Sequence, residues 1–467
     1  VTEISRRSAL LALAGVGAVT AAGGVAWAAL RDDASESGTL ESIRARAWRA
    51  SIGHDQFTPP VHKDGTLYCY DPQGVAYALD LRTGALRWKY ATNLHPALAG
   101  PVPAGNRLIV GGATGPVADT TTGKLLALDR ETGRVAWQHS LAVLPVAKPI
   151  PGTDLLGVGD QSGLISGRNI DDAREAWRIP ARVSGTDNFN GIVRLEASDE
   201  RLYAVYEHSA LDSRTHMLTA IDEGGAVLWS VDRQWRPRKA RRADPGGEPQ
   251  LVTWLKPGSD GLLHVLRSPT STDGYGVDDP STSEELITCR ADTGEVVWRL
   301  EAHRIDAPPR LVDGVIYLKA KRRASDPAEV RAIDARTGEV RWSYTSAGSV
   351  VAMLERSDQT MIAVGRDAVC AGGGFGFVVL DRDSGKELWS APEARGYFGR
   401  EPVASDDAVF VTESSNENSV VRAWQLRDGK PLRTQEGLAV SVHLLVEDNV
   451  LIATTVQAIH AYPLPLN

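Results

Sequence analysis

The sequence predicts an all-β ring: an eight-bladed β-propeller of four-stranded blades, closed by an N-terminal strand and preceded by an apolar helix or signal. Three observations predict it. One turn phrase recurs along most of the 467 residues. Further short apolar strands precede each copy. Tryptophan is in excess, 12 residues against six phenylalanines, and the excess falls at one place in the phrase. The 45 Gly and 25 Pro supply many turns, and 42% hydrophobic against 24% charged residues marks a globular chain rather than a disordered one. A net charge of −8 argues against general nucleic-acid binding, which needs an excess of positive charge.

The phrase is an apolar strand, then Asp, two residues, Thr-Gly, three residues and Trp. It occurs at Asp80, Gly84 and Trp88, and at Asp129, Gly133 and Trp137. It returns at Asp334, Gly338 and Trp342, and, with Ser for Thr, at Asp381, Gly385 and Trp389. Weaker copies end at Trp177, Trp229 and Trp298, and a last one keeps Asp428-Gly429 but has Arg433 where Trp is expected. The apolar run reads as a buried strand. The Asp carboxylate accepts backbone N–H groups two residues on and starts the turn. Gly supplies a positive φ where a Cβ would clash. Trp, on the returning strand, offers a large apolar face to the neighbouring sheet. Seven of the 12 Trp stand at this position, 40 to 69 residues apart, which is the spacing of propeller blades with loops.

Two more strands precede each phrase, as at 309–312 and 315–318, so each unit holds four strands in up-and-down order. One such sheet cannot bury both faces; packing sheets around an axis buries them and limits exposed edges. Eight units carry the phrase or its remnant. Strands at 442–446 and 450–462 lack an outer partner, and 45–50, with Trp48, reads as an outer strand without a blade. Pairing the two ends closes the ring as a clasp. Counted literally this makes nine blades; the expectation is eight, with one weak unit irregular and nine kept open.

The phrase A-L-D-x-x-T-G-x-x-x-W resembles the repeat of the pyrroloquinoline-quinone-like propeller superfamily. That group includes quinoprotein alcohol dehydrogenases and the non-enzymatic outer-membrane assembly factor B family. The resemblance covers roughly residues 43–463 and is closer to the assembly-factor branch, where blade lengths are similar and an N-terminal strand closes the ring. It speaks for the fold far more than for function. In the quinoprotein branch it implies a quinone beneath two adjacent, disulfide-bonded cysteines, a calcium ion held by Glu, Asn and Asp, and an Asp base. Here Cys69, Cys289 and Cys370 are far apart and are expected as buried thiols. Asp381-x-Asp383 lies in the repeat's own turn and lacks the other ligands of a calcium loop. No His pair has metal-ligand spacing, and there is no Gly-x-Ser-x-Gly elbow or P-loop. Gly372 to Gly376 precedes a strand rather than a helix and reads as a mobile loop. No catalytic residue, metal, quinone or other cofactor is therefore expected. The alternative retained is a quinone-dependent oxidoreductase.

Arg6-Arg7 stand before an uncharged run that lasts to Leu30, which resembles a twin-arginine export signal. Ala26-Trp27-Ala28 offers a cleavage site, and the run is also long enough to span a bilayer. The expected organisation is a signal or anchor at 1–30, a linker at 31–42 and the propeller at 43–467. The expected location is outside the cytoplasm, either membrane-anchored by 9–30 or released after cleavage near Ala28.

Strand parity sorts the loops. The loop after the first strand and the Thr-Gly turn share one face; the loop after the second strand and the link between blades share the other. The long segments, 111–123, 207–216, 268–285, 321–329, 365–376, 413–419 and the link 232–249, fall on the second face. That decorated face is the expected working one, because binding groups concentrate on loops held by a rigid frame. Its basic run, Trp235, Arg236, Arg238, Lys239, Arg241 and Arg242, is the expected contact for a partner protein or an anionic envelope component. The acidic stretch with Asp278, Asp279, Glu284 and Glu285 decorates the same blade on the same face, and a second reading is that the two insertions neutralise one another. Trp254 reads as an inner-strand residue. The function expected is a non-catalytic, exported scaffold or sensor that displays loops.

Overall fold

A computed structural model describes residues 47–464, except 52–57, 97–99, 115–121, 142–144, 161, 181–188, 211–212, 232–249, 270–282, 322–325, 328, 346–360, 374–375, 392–396, 399–401, 415–418, 433–434, 439–440 and 456–457. The apolar segment 9–30 and the linker 31–42 lie outside the described residues. No helix of the described residues is long and apolar enough to cross a membrane.

The described strands form nine antiparallel sheets, nearly all in simple up-and-down order and numbered as blades along the chain, with blade 2 between residues 95 and 141, blade 3 between 146 and 179, blade 4 between 189 and 231, blade 7 between 361 and 391 and blade 8 between 397 and 438. Blade 1 is Val61–Lys63, Thr66–Tyr70, Val75–Asp80 and Leu86–Ala91. Blade 5 is Gln250–Pro257, Leu262–Pro269, Glu284–Arg290 and Val296–Ala302. Blade 6 is Arg304–Val312, Val315–Lys321, Glu329–Asp334 and Val340–Thr345. The ninth joins the chain ends: Ser441–Glu447, Val450–Thr455 and Ile459–Pro463 take Trp48–Ala50 as outer strand. Trp48 pairs with Ala461 in that clasp. The count of eight is thus corrected to nine. The weak copies lack parts of the turn phrase but keep the apolar second and third strands, and those are what a blade needs to bury.

Burial follows strand position. The second strand of blade 1 is buried along its whole length, whereas the outer strand is buried mainly at Trp88. Central strands are covered on both faces by neighbouring blades; outer strands meet a neighbour only through alternate residues. In blades 1 to 7 the register slips beside the Trp, as between Ala78 and Leu79 opposite Trp88. The extra residue is a β-bulge, and it turns the indole toward the next blade.

Each indole then does two things. It donates its N–H to the carbonyl just after the residue that opens the next blade's turn, Asp in most blades and Asn169, Arg290 or Gln425 in three: Trp48 to Leu81, Trp88 to Arg130, Trp137 to Ile170, Trp177 to Glu223, Trp229 to Ala291, Trp298 to Ala335, Trp342 to Arg382 and Trp389 to Leu426, at 2.7–3.0 Å. It also lies flat on that turn's glycine. A Cβ on Gly385 would stand 2.5 Å from Trp342 Cδ2, and one on Gly133 2.6 Å from Trp88 Cδ2. These glycines also need φ near +70°. Blade 3 departs: Ala173 takes the glycine place at φ 59°.

The Asp sets up the turn that presents the glycine. Asp80 Oδ1 accepts the Thr83 N–H at 2.9 Å and its hydroxyl at 2.8 Å, while Oδ2 pairs with Arg87 at 2.7 Å. Burial pushes the Asp80 carboxyl up, but Arg87 and Thr83 outweigh it and hold the pKa at about 2. Arg341 likewise holds Asp334 at about 2. At two seams an arginine adds a clamp. Arg130 donates to the Tyr68 hydroxyl at 3.1 Å and to Asp64 at 2.8 Å; Arg382 donates to Tyr317 at 3.1 Å and to Asp313 at 2.6 Å. Tyr203 holds the corresponding place in blade 4, near Ser198, but its buried hydroxyl makes no hydrogen bond of normal geometry.

Two predictions follow from these seams. Ala173→Gly relieves a strained left-handed residue and is expected to raise the unfolding free energy by about 0.5–1 kcal/mol; Gly385→Ala adds strain and a clash with Trp342, and is expected to cost at least about 1–2 kcal/mol. Tyr317→Phe should cost about 1–2 kcal/mol by stranding Arg382, whereas Tyr203→Phe should be neutral or stabilising. Denaturant titration of the four variants checks both, and equal losses for the two Tyr variants would contradict the clamp.

Candidate functional site

Parity of four strands puts the Asp-Gly turns on one face of the ring and the second-to-third loops and blade links on the other. The turn face is uniform and self-paired. It holds a cleft of about 210 Å³ at blades 6 and 7, lined by Asp313, Tyr317, Arg341, Arg366, Arg382 and Asp383 among others. Each guanidinium there already has a carboxylate: Arg341 with Asp334 at 2.7 Å, Arg382 with Asp313 at 2.6 Å, and Arg366 with Asp406. Asp381 is spent in the same manner, accepting the Ser384 N–H at 2.8 Å and its hydroxyl at 2.5 Å. Asp381-x-Asp383 therefore behaves as a turn cap. Among the described residues no group of three or more His, Cys, Asp or Glu could hold a metal ion.

The opposite face is irregular. Blade 4 extends there as a hairpin of two ten-residue strands, Arg201–Ala210 and Ser213–Asp222. At its far end His216 Nδ1 accepts the Val252 N–H of blade 5 at 2.9 Å, and Nε2 lies 3.4 Å from Glu207. Burial lowers the pKa of His216 and Glu207 opposes it. Its acceptor role at Nδ1 requires the neutral ring with the proton on Nε2. In blade 5, Glu285 is buried between Arg267 at 3.7 Å and Arg299 at 2.9 Å. Glu284 accepts the Ser268 hydroxyl at 2.9 Å and the Ile305 N–H. A buried polar network thus stands where both large insertions leave the frame: the link 232–249 enters blade 5 just before Val252, and 270–282 leaves and re-enters it beside Ser268 and Glu284.

The expected contact residues Trp235, Arg236, Arg238, Lys239, Arg241 and Arg242 lie outside the described residues, as do Asp278 and Asp279. Glu284 and Glu285 stand on a strand of blade 5, where their described partners include Ser268, Ile305, Arg267 and Arg299. The sequence reading missed Glu207, His216, Arg267 and Arg299, since each stands alone in a strand with no spacing signal. The cross-strand pairs Glu207–His216 and Arg267–Glu285 were the only trace. The glycine run is also corrected. Ala368–Gly373 and Gly376–Asp381 are paired strands joined as a tight hairpin, and a Cβ on Gly372 would stand 2.3 Å from Phe377 Cβ. These glycines permit close packing and do not form a long loop. Trp254 lies buried in the inner strand of blade 5. Cys69, Cys289 and Cys370 are free, buried and in three blades, with burial raising each thiol, Cys289 to about 12.

Glu285→Gln would remove the charge that compensates two partly or fully buried arginines. It is expected to destabilise the fold by about 3 kcal/mol, read by denaturant titration; a change within about 0.5 kcal/mol, the usual size for surface sites, would show the network to be dispensable.

Known proteins match this architecture. Tetrathionate hydrolase of Acidithiobacillus ferrooxidans is 21% identical over 414 residues, covering 79% of this chain and 74% of that protein. Outer membrane protein assembly factor BamB of Shewanella oneidensis is 27% identical over 399 residues, covering 80% and 88%. Quinohemoprotein alcohol dehydrogenase ADH-IIG of Pseudomonas putida is 29% identical over 149 residues, only 28% of this chain and 21% of that enzyme. Its crystal structure superposes with a TM-score of 0.46 at 14% identity, covering 90% and 77%. The family model described as outer membrane protein assembly factor BamB matches residues 14–209 and 214–463, nearly the whole chain. With its ring, clasp and repeat, the chain belongs to that family of pyrroloquinoline-quinone-like propellers.

Proposed function

We propose that this protein is an exported, non-catalytic propeller whose decorated face binds a partner protein or a component of the cell envelope. The observation that carries the reading is the family match along residues 14–209 and 214–463. The Shewanella relative, covered over 88% of its length, is named for outer membrane protein assembly. The physical ground is rigidity. Blades locked by indole–carbonyl bonds fix the strand ends from which the loops leave, which lowers the conformational entropy that binding loses. The proposed contact is the basic run with Trp235, Arg236, Arg238, Lys239, Arg241 and Arg242. The proposed location is outside the cytoplasm, held by residues 9–30 or freed near Ala28.

An enzymatic reading has support too, from the tetrathionate hydrolase and alcohol dehydrogenase relatives. For a quinone enzyme the residues do not fit. The quinone cap of that branch needs adjacent cysteines, and here the three thiols stand in three separate blades, each enclosed in its sheet. No cofactor is part of the proposal.

Affinity capture from envelope extracts with wild type and a Trp235→Ala, Arg238→Ala variant tests the contact. Wild type should retain proteins that the variant loses; identical sets would remove the basic run as the site. Titration with pyrroloquinoline quinone and calcium, followed by absorbance, tests the class. Stoichiometric uptake with dye-linked alcohol oxidation would replace the scaffold reading by an oxidoreductase.

A further inference from the structure

The seams are built on one repeated pair of positions: the third residue of a blade's second strand and the residue after the turn Asp of the next blade. At seams 1/2 and 6/7 these are Tyr68 with Arg130 and Tyr317 with Arg382, each completed by the carboxylate of Asp64 or Asp313. At most other seams the pair is apolar, as Ile452 with Leu81 or Cys370 with Leu426. Blade 5 differs on both sides. Seam 4/5 keeps Tyr203 and Asp199, and seam 5/6 keeps His264 and Asp260, but the arginine place is taken by Ala291 and Ala335. In consequence the Tyr203 hydroxyl and His264 Nε2 are buried with no hydrogen-bond partner.

His264 is the more consequential of the two, since it titrates. Its ring has no solvent exposure. Nδ1 lies 2.7 Å from the Thr288 hydroxyl, and the ring centroid is 6.4 Å from that of Trp298, the indole that bonds Ala335 across the seam. Trp298 belongs to the apolar cluster between blades 5 and 6, with Leu266, Leu286, Ile316, Leu318 and Ile333. The charged groups nearby are Asp260 in the preceding turn, Lys256 opposite on the inner strand, and on blade 6 the Arg331–Glu329 pair and the Asp334 turn. A neutral imidazole here leaves one acceptor unmade. An imidazolium would leave a donor and a charge without a partner in an apolar seam, which is far more costly. Burial outweighs the pull of Asp260 and lowers the pKa of His264 to about 4.

We propose that the joint between blades 5 and 6 is acid-sensitive: protonation of His264 parts this seam, and so frees blade 5, while the arginine-clamped seam between blades 1 and 2 stays closed. The sign is set by linkage. With the seam closed His264 stays neutral; with it open the ring meets water and regains its ordinary value of about 6.5. Protons therefore favour the open seam as pH falls from about 6.5 toward 4, and the effect levels off below the closed-state value. Between pH 7 and 4 the opening equilibrium should rise on the order of 10- to 100-fold.

Hydrogen–deuterium exchange of the full chain at pH 7 and pH 4, corrected for intrinsic exchange rates, reads this directly. Protection in peptides covering Leu262–Pro269 and Val296–Ala302 should fall at least about ten-fold more than in those covering Thr66–Tyr70 and Arg107–Ala113, where Arg130 clamps the seam. His264→Phe removes the titrating group at similar volume and should abolish the selective loss; His264→Tyr with Ala335→Arg, which rebuilds the clamp with Asp260, should do the same. A loss spread evenly around the ring, no loss, or a selective loss that persists in His264→Phe would each overturn the proposal.

Discussion

The ring depends on an indole laid flat on a glycine. In its full form the contact combines four things: a bulge that turns Trp toward its neighbour, a glycine with no Cβ, a positive φ at that glycine, and an Asp that caps the turn. The positive φ is the part every such turn keeps: blade 3 has Asn169 and Ala173, and Arg290 and Gln425 stand at the Asp place in blades 5 and 8, yet each turn still offers its carbonyl to an indole. The same unit is both donor and acceptor, since each blade offers its Trp forward and its turn backward. A repeat with that polarity propagates around an axis and ends only when the last blade meets the first. Here the first indole, Trp48, comes from the chain's start and sits on blade 1, while its strand completes the blade made by the chain's end.

This polarity explains why the fold was legible. Asp, Gly and Trp at fixed spacing are needed by local geometry, so they persist as letters. The blade count was less legible for the same reason. Blade 3 uses Asn169 and Ala173, and blade 4 shortens the turn at Asp222, yet both make complete sheets because their second and third strands are apolar. The phrase marks the turn, whereas burial of the central strands makes the blade. The candidate site was less legible still. Glu207 and His216 are ordinary strand residues nine apart in sequence, and only the long hairpin of blade 4 brings them opposite one another and under Val252 of the next blade.

The two faces divide the work by chemistry. On the turn face, carboxylates and guanidinium groups are consumed in pairs by the turns and clamps, and the hydroxyls of Thr83, Thr132 and Ser384 cap the same carboxylates. On the other face no repeated device consumes the polar groups, so insertions differ from blade to blade. The frame answers with private networks such as Arg267, Glu285 and Arg299. A charged triad inside a seam adds less net stability than an apolar core of the same size. Its place on the strands that flank 270–282 is therefore better understood as positioning, since the charged partners tie neighbouring strands of blade 5 together.

Blade 5 gathers these exceptions. It follows the longest link, carries the large 270–282 insertion, contains the charged triad and is flanked by the two seams whose tyrosine or histidine has lost its arginine. Seams 1/2 and 6/7 show that the fold can build the full clamp, so the losses at Ala291 and Ala335 are local choices and not limits of the architecture. A ring stabilised equally at every seam would open only as a whole. Unequal seams give it a preferred joint, and the joint stands at the blade where the frame is most elaborated. Stability and function then draw on the same positions: the repeat makes the ring rigid, and the two places where the repeat lapses decide which blade can move.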